Sequence, residues 1–366
     1  MGKIRILVVD DSLIFRHAVE DSLKLEPDMR VVGSVRNGKK AIEFITTNEV
    51  DIVTLDLEMP EMDGLATLDE IQKINSERKG VCQIGVLILT SKSVNGARTT
   101  IDALEKGAYD FIAKPQGSSE TECIVNLKHD LVPRIRQYVR GGTNLTRKTQ
   151  VIAGIAAAKA ASVEASIDKS KTFRGQARVI VVGVSTGGPR ALTEMLPKLC
   201  QKTSLPILIV QHMPPAFTLS LAESLGKKCM HKVKEGVDGE SIVKQYVYIA
   251  PGGRHMMITR NVSGEAALAI NDQPPENGCR PSVDILFRSA AAVYGSEVVA
   301  TILTGMGTDG TLGLRPLKRA GAWIIAQDEA SSVVWGMPGS AVETGLVDEI
   351  VELDKVPDAI AAAAKQ

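Results

Sequence analysis

The sequence predicts two successive α/β domains with mostly parallel sheets, joined by a polar, alanine-rich connection. Three observations predict this. Short β-branched apolar runs recur through residues 1–125 and again from 177 onward, separated by stretches with helical spacing. Many of these runs end on a polar residue, and a parallel sheet gathers such groups at the carboxyl edge of its strands. Between the two halves, residues 141–176 carry Gly-Gly-Thr-Asn, an Ala-rich piece at 155–165 and Lys-Ser-Lys-Thr, with no sustained apolar face to bury.

Taken in order, residues 4–9 (Ile-Arg-Ile-Leu-Val-Val) read as a strand and 14–25 as a helix. A strand at 31–35 and a helix at 39–46 follow, then strands at 51–55 and 86–90, a helix at 99–106 and a last strand at 110–113. Five strands with intervening helices imply a doubly wound parallel sheet. Residues from about 120 to 140 read as a closing helix, so the first domain spans 1–125 with that helix appended. The second domain, 177–366, opens with a charge-free run at 179–182 that leads into Gly183-Val-Ser-Thr-Gly-Gly-Pro189. Pro189 suits the first position of a helix. Ala191, Leu192, Met195, Leu196 and Leu199 then recur at helical spacing, with Pro197 expected to kink them. Further strands are expected at 206–211, 246–250, 298–304 and 322–327.

The 366 residues are 44% hydrophobic and 23% charged, as in ordinary soluble globular proteins. No apolar run approaches the roughly 18–20 residues of a membrane span, and the charged, strand-like N-terminus is unlike a signal peptide. Cys82, Cys123, Cys200, Cys229 and Cys279 are scattered and odd in number, with no C-x-x-C spacing, which favours reduced thiols in a cytoplasmic protein. The net charge is zero overall, but −6 over residues 1–125, +7 over 126–176 and −1 over 177–366. The basic middle is diluted by Ala, Ser and Thr and lacks interleaved aromatics, so a solvated linker is the better reading than a nucleic-acid contact. A DNA-binding second half would need a basic helix-turn-helix domain, which 177–366 does not resemble.

Asp10 and Asp11 follow the first strand, Asp56 the third, Thr90 ends the fourth, and Lys114-Pro115 follows the fifth. Each Asp alone is explained as a helix cap. Three of them at one edge with a lysine make an oxygen-rich site suited to Mg²⁺ and a phosphate. Leu-Val-Val-Asp10-Asp11-Ser, Leu-Asp56-Leu-Glu-Met-Pro60-Glu-Met-Asp-Gly64, Leu-Thr90-Ser and Ala-Lys114-Pro115 closely resemble a response-regulator receiver domain. The resemblance implies that Asp56 accepts a phosphoryl group from a histidine kinase. It also implies that Asp11, Asp56 and the backbone carbonyl of Glu58 ligate Mg²⁺ with help from Asp10, and that Thr90 and Lys114 contact the phosphoryl oxygens.

Gly183-Val-Ser185-Thr-Gly187 satisfies the G-x-S-x-G pattern, which fits a nucleophile, a phosphate cradle or plain turn chemistry. No Lys-Ser/Thr follows it, which weakens the nucleotide reading. A nucleophilic serine needs a base, and the histidines are His17, His129, His212, His231 and His255. His17 and His129 belong to the first domain, His231 lies in a polar stretch, and His255 lies on a loop or strand start. His212, in Gln211-His-Met-Pro-Pro215, directly follows a buried strand, as Ser185 does. Thr304-Gly-Met-Gly-Thr-Asp309-Gly310 follows another, and supplies a carboxylate able to orient an imidazole. The chain order Ser185, His212, Asp309 is not that of the α/β-hydrolases, so the serine pattern does not assign that fold.

These segments are similar to the chemotaxis protein-glutamate methylesterase family, as are Ile249-Ala-Pro-Gly-Gly-Arg-His255, Arg280-Pro-Ser-Val-Asp284, Ala326-Gln-Asp-Glu-Ala330 and Gly336-Met-Pro338. The resemblance implies hydrolysis of glutamate γ-methyl esters on the cytoplasmic helices of chemoreceptors, with deamidation of specific receptor glutamines, and no cofactor for the esterase step. It implies Ser185 as nucleophile, His212 as base then acid, and Asp309 as its orienting partner. The backbone N–H groups of Met306 and of the Ser185–Thr186 turn are the expected oxyanion donors. A fused receiver further implies that the unphosphorylated domain restrains catalysis by covering the catalytic face, until Asp56 is phosphorylated.

Overall fold

The computed structural model of the chain describes residues 3–78, 83–91, 93–115, 119–147 and 176–365. They form two compact units, one on each side of residues 148–175. Cys82 and most of the expected linker lie outside the described residues.

In the first unit, strands β1 (Ile4–Val9), β2 (Met29–Val35), β3 (Ile52–Asp56), β4 (Gly85–Thr90) and β5 (Asp110–Ala113) form one parallel sheet in the order β2-β1-β3-β4-β5. Helices α1 (Leu13–Leu23), α2 (Gly38–Thr47), α3 (Gly64–Glu77) and α4 (Val94–Glu105) alternate with them, and α5 (Glu120–Arg147) closes the unit against α1. Every residue of β3 and β4 is buried, as a central strand covered on both faces requires. Side-chain caps start the first four helices: Ser12, Asn37, Asp63 and Ser93 each accept the amide three residues on. Such a cap is worth about 1 kcal/mol. The last helix runs to Arg147 rather than ending near 140, because Gly141 and Gly142 are tolerated inside a helix at roughly 1 kcal/mol each.

The second unit is built on a seven-stranded, wholly parallel sheet. Its strands are β6 (Val179–Val184), β7 (Ile207–Gln211), β8 (Lys232–Glu235), β9 (Tyr246–Ile249), β12 (Val298–Ile302), β13 (Trp323–Gln327) and β14 (Glu349–Val351), in the order β14-β13-β12-β6-β7-β9-β8. An antiparallel hairpin, β10 (His255–Arg260) with β11 (Ala266–Asn271), stands apart from that sheet. Helices α6 (Gly188–Lys202), α7 (Phe217–Gly226), α8 (Val283–Tyr294), α9 (Thr311–Ala320), α10 (Met337–Glu343) and α11 (Val356–Lys365) complete the unit. Helix α6 continues through Pro197. The core packs β6, β7 and β12 against α8 through Val181, Val210, Ala300, Leu286 and Phe287, all fully buried.

The chain runs from β6 outward to β7 on one side and returns to β12 on the other, so the sheet order reverses at β6. Ligand sites in open parallel sheets form at this kind of switch point, beyond the strand ends. Among the described residues no helix is long and apolar enough to cross a membrane.

Candidate active site

Strand register brings three turns of the second unit together. Gly183 lies opposite Ile302 of β12 and Val210 of β7. Beyond the strands the pairing continues by single bonds: Ser185 N–H donates to the Thr304 carbonyl at 3.0 Å, and His212 N–H to the Val184 carbonyl at 3.1 Å. Ser185 is thus fixed between the ends of its two neighbouring strands. Gly187, at φ 78°, turns the chain into α6 with a conformation that a side chain disfavours. At Gly188 an added Cβ would lie 2.0 Å from Gln211 Oε1, so only glycine lets the turn approach β7.

Gln211, which the sequence shows only as the neighbour of His212, ties the two turns together. Its side chain is 2% exposed, and Nε2 donates to the Ser185 carbonyl at 2.9 Å and to the His212 carbonyl at 3.3 Å. Thr304 does the same on the other side, with Oγ1 donating to the Thr186 carbonyl at 2.9 Å and accepting the Val334 amide at 2.9 Å.

His212 Nε2 meets Asp309 Oδ2 at 2.8 Å. The carboxylate is buried and sits at the N-terminus of α8, where Val283 N–H reaches Oδ2 at 2.7 Å and Asp284 N–H reaches Oδ1 at 3.0 Å. Ser282 Oγ and the Gly310 amide also donate to Oδ1, both at 2.9 Å. Burial opposes ionisation of Asp309, but His212 and the helix amides hold its carboxyl down at about 2. Burial likewise opposes charge on the His212 ring, but the Asp309 hydrogen bond, with Cys279 beside the ring, raises it to about 9. The Ser-Val-Asp run before an apolar periodic stretch was the available signal for this anchor, since Ser commonly caps helices.

The structure therefore joins His212 to Asp309 directly and sets Ser185 in the adjacent turn. Among the described residues no hydrogen bond links Ser185 Oγ to the imidazole. Thr186 is buried in that turn, and Met306 lies exposed on the loop that leads from β12 to Asp309. His255 takes the strand-start alternative: it begins β10, is fully buried, accepts the Ser282 amide at Nδ1 (3.2 Å) and contacts the Pro274 carbonyl through Nε2 (3.1 Å). His231 is also buried, despite its polar neighbours in sequence.

At the carboxyl edge of the first sheet, Lys114 Nζ bridges Asp10 Oδ2 at 2.7 Å and Asp56 Oδ2 at 2.9 Å. Carboxylate oxygens of Asp10, Asp11 and Asp56 lie within 4.8 Å of one another, and Asp11 is exposed while the other two are buried. Burial raises the Asp10 carboxyl above its ordinary range, against the pull of Lys114. Thr90 is buried at the end of β4, where its hydroxyl accepts from Thr100 at 3.0 Å, and Glu58 is exposed on the loop after β3.

Residues 6–126 match the response regulator receiver domain family, and residues 180–360 match the CheB methylesterase family. Over 100% of both chains the sequence is 42% identical to a protein-glutamate methylesterase/protein-glutamine glutaminase of Desulfotalea psychrophila. It is 39% identical, over 99% of each chain, to a protein of that name from Bacillus subtilis. The Thermotoga maritima CheB methylesterase catalytic domain, a solved structure, is 40% identical, covering 51% of this chain and 98% of its own at a TM-score of 0.49. With its receiver domain followed by a CheB methylesterase domain, and relatives this similar from end to end, the chain belongs to the protein-glutamate methylesterase/protein-glutamine glutaminase family.

Proposed function

We propose that this chain hydrolyses glutamate γ-methyl esters on the cytoplasmic helices of chemoreceptors and deamidates particular receptor glutamines, with Ser185 as nucleophile. The observation that carries this reading is the 2.8 Å bond between His212 Nε2 and Asp309 Oδ2, at the strand edge that also holds Ser185. A buried, donor-saturated carboxylate keeps a proton on Nε2, which leaves Nδ1 as the nitrogen able to accept one. Nδ1 takes the Ser185 Oγ proton as Oγ bonds the ester carbonyl carbon, then returns it to the departing methoxide oxygen. Water repeats the sequence on the acyl-enzyme and frees the glutamate carboxylate; with a glutamine the leaving group is ammonia. The charge that builds on the ring is favoured by Asp309, consistent with its raised pKa, so the neutral base is the minor form at neutral pH. The amides of Met306 and Thr186 are the candidate oxyanion donors, each worth about 10²–10³ in rate. The bond from Ser185 to Nδ1 would form with substrate in place, as catalytic contacts often tighten only then.

In the receiver, Asp56 is the proposed phosphoacceptor from a histidine kinase. The converging oxygens of Asp10, Asp11 and Asp56 suit a hard divalent cation, and with the Glu58 carbonyl they would hold Mg²⁺. When bound, that ion supplies positive charge at the phosphoryl group. Lys114, already against Asp56, and Thr90 would hold the phosphoryl oxygens. The charge of −1 over 177–366 favours a protein substrate over nucleic acid.

Methanol release from methylated receptor membranes tests the chemistry. The wild-type protein releases methanol and Ser185→Ala does not; equal release overturns the nucleophile. A small-molecule phosphodonor accelerates release by the wild type but not by Asp56→Asn. Equal acceleration in both overturns the phosphoacceptor.

A further inference from the structure

A thiol not yet given a role stands beside the nitrogen that would take the serine proton. Cys279 Sγ lies 3.9 Å from His212 Nδ1, the ring nitrogen that Asp309 does not hold. We propose that His212 Nδ1 and Cys279 Sγ form a binding site for a borderline-soft divalent cation of the Zn²⁺ type, and that occupancy of this site stops ester hydrolysis. The second half rests on His212 acting as the base.

The spacing fits. Bonds of about 2.0 Å to nitrogen and about 2.3 Å to sulfur close on a 3.9 Å edge at roughly 125–130°. A few tenths of an ångström of closure brings that angle to tetrahedral. Metal-bound imidazoles characteristically donate their other N–H to a carboxylate, which fixes the tautomer and raises the basicity of the ligating nitrogen. Asp309 does this here at 2.8 Å. It is not itself a free ligand, since both of its oxygens are taken up by His212, Ser282 Oγ and the amides of Val283, Asp284 and Gly310.

The backbone that carries the sulfur is held in place before any ion arrives. Cys279 closes a two-residue turn in which Glu276 and Cys279 exchange backbone hydrogen bonds of 3.1 and 2.8 Å. Asn277 and Gly278 occupy its corners at φ 51° and 75°, the Asn-Gly geometry of a type I′ hairpin turn. Asn277 Nδ2 pins that turn to the buried Asp284 at 3.0 Å, and Glu276 pairs with Arg288 at 2.5 Å. Asp284 and Arg288 both belong to α8, whose N-terminus also holds Asp309. One helix thus sets both ligands. His212 and Cys279 are partly exposed, so water can complete the coordination.

Binding needs no redox step: the thiol proton and the proton that Nδ1 mostly carries at neutral pH leave to solvent, and the freed Nδ1 lone pair goes to the metal. The same chain also offers an all-oxygen cluster at Asp10, Asp11 and Asp56, and ligand softness separates the two. Oxygen donors prefer Mg²⁺, whereas the imidazole and thiolate prefer Zn²⁺.

The test uses the full-length protein in excess Mg²⁺, with Zn²⁺ titrated against methanol release. Zn²⁺ is expected to inhibit, and Cys279→Ala to raise the half-inhibiting concentration by about tenfold or more. Cys279→Ser, closer in size, is a second variant with the same expected direction. Co²⁺ in place of Zn²⁺ reads binding without activity: a near-ultraviolet thiolate-to-cobalt absorption appears in the wild type, is lost in Cys279→Ala and is displaced by Zn²⁺. Equal Zn²⁺ inhibition across these proteins, or a cobalt absorption unchanged by the Cys279 variants, overturns the proposal. Hydrolysis undiminished with the metal bound overturns its blocking half and removes Nδ1 from the chemistry. Ser185→Ala binds Co²⁺ as the wild type does, which separates failure of the metal site from failure of the serine reading.

Discussion

His212 Nε2 and Asp309 Oδ2 stand 2.8 Å apart, and that contact ends a longer chain of fixed groups. The buried His255 ring accepts the Ser282 amide, Ser282 Oγ donates to Asp309 Oδ1, and Asp309 orients His212. The His212 ring, the proposed base, therefore takes its orientation from the first turn of α8 and from a second histidine on β10. Anions belong at helix N-termini, and here the anion is an internal carboxylate held by amides that its own charge stabilises.

Asp309→Asn tests that arrangement. Oδ1 and Oδ2 of Asp309 both face donors, so an amide –NH₂ clashes with the helix N–H groups or donates to the imidazole and selects the tautomer with its proton on Nδ1. The variant loses the charge that favours imidazolium and no longer keeps the proton on Nε2. Methanol release is expected to fall by about 10⁴-fold, the scale of such a change in a serine triad. A loss below tenfold would remove Asp309 from the proposed mechanism.

Gln211→Leu removes the side chain that ties the Ser185 and His212 carbonyls together, at nearly constant volume. Ser185 O keeps its bond from the Gly188 amide at 2.8 Å, so the turn persists but is less constrained. Stability is expected to drop by about 1–3 kcal/mol for the lost buried bonds. The rate should fall while KM holds, since Ser185 and His212, the proposed nucleophile and base, shift against each other and the substrate surface does not. An unchanged kcat in a destabilised protein would make Gln211 purely structural.

The sequence made the sheet edges legible because a buried parallel strand is a short apolar run that stops at a polar residue. Strands 4–9 and 110–113 coincide end to end with those observed. Helix α3 is not legible in the sequence because polar residues separate Leu68 and Ile71, and its clearest signal is the Asp63 cap. Edge strands β8 and β14 contain no fully buried residue: β8 sets one valine among charged residues and β14 is three residues long, so neither shows the apolar run of a central strand. At the site, Ser185, His212 and Asp309 were legible one by one as strand-end residues. The His212–Asp309 contact depends on register across β6, β7 and β12, which one sequence does not contain. Cys279 was legible only as a scattered thiol, because an Asn-Gly turn on the far side of the hairpin carries it to the imidazole. His231 read as polar from Lys232 and Lys234, whereas its own side chain turns inward.

That inward turn makes His231 a source of acid sensitivity. It is 5% exposed, and among the described residues neither ring nitrogen has a hydrogen-bond partner. Burial alone lowers its pKa below the ordinary value of 6.5. Between the lowered folded value and 6.5 the unfolded chain binds more protons than the folded one, so stability rises with pH across that window. The contribution is complete above about 6.5 and is lost as pH falls, by at most about 1.4 kcal/mol per pH unit for a single group. His231→Leu puts an apolar side chain where no polar partner exists, so it is expected to leave stability at pH 7.5 unchanged or raised, and to flatten the decline towards pH 5.5. Both tryptophans, Trp323 and Trp335, lie in the second unit, so urea unfolding followed by their fluorescence reports on that unit alone. An acid decline as steep in His231→Leu as in the wild type would place the sensitivity elsewhere.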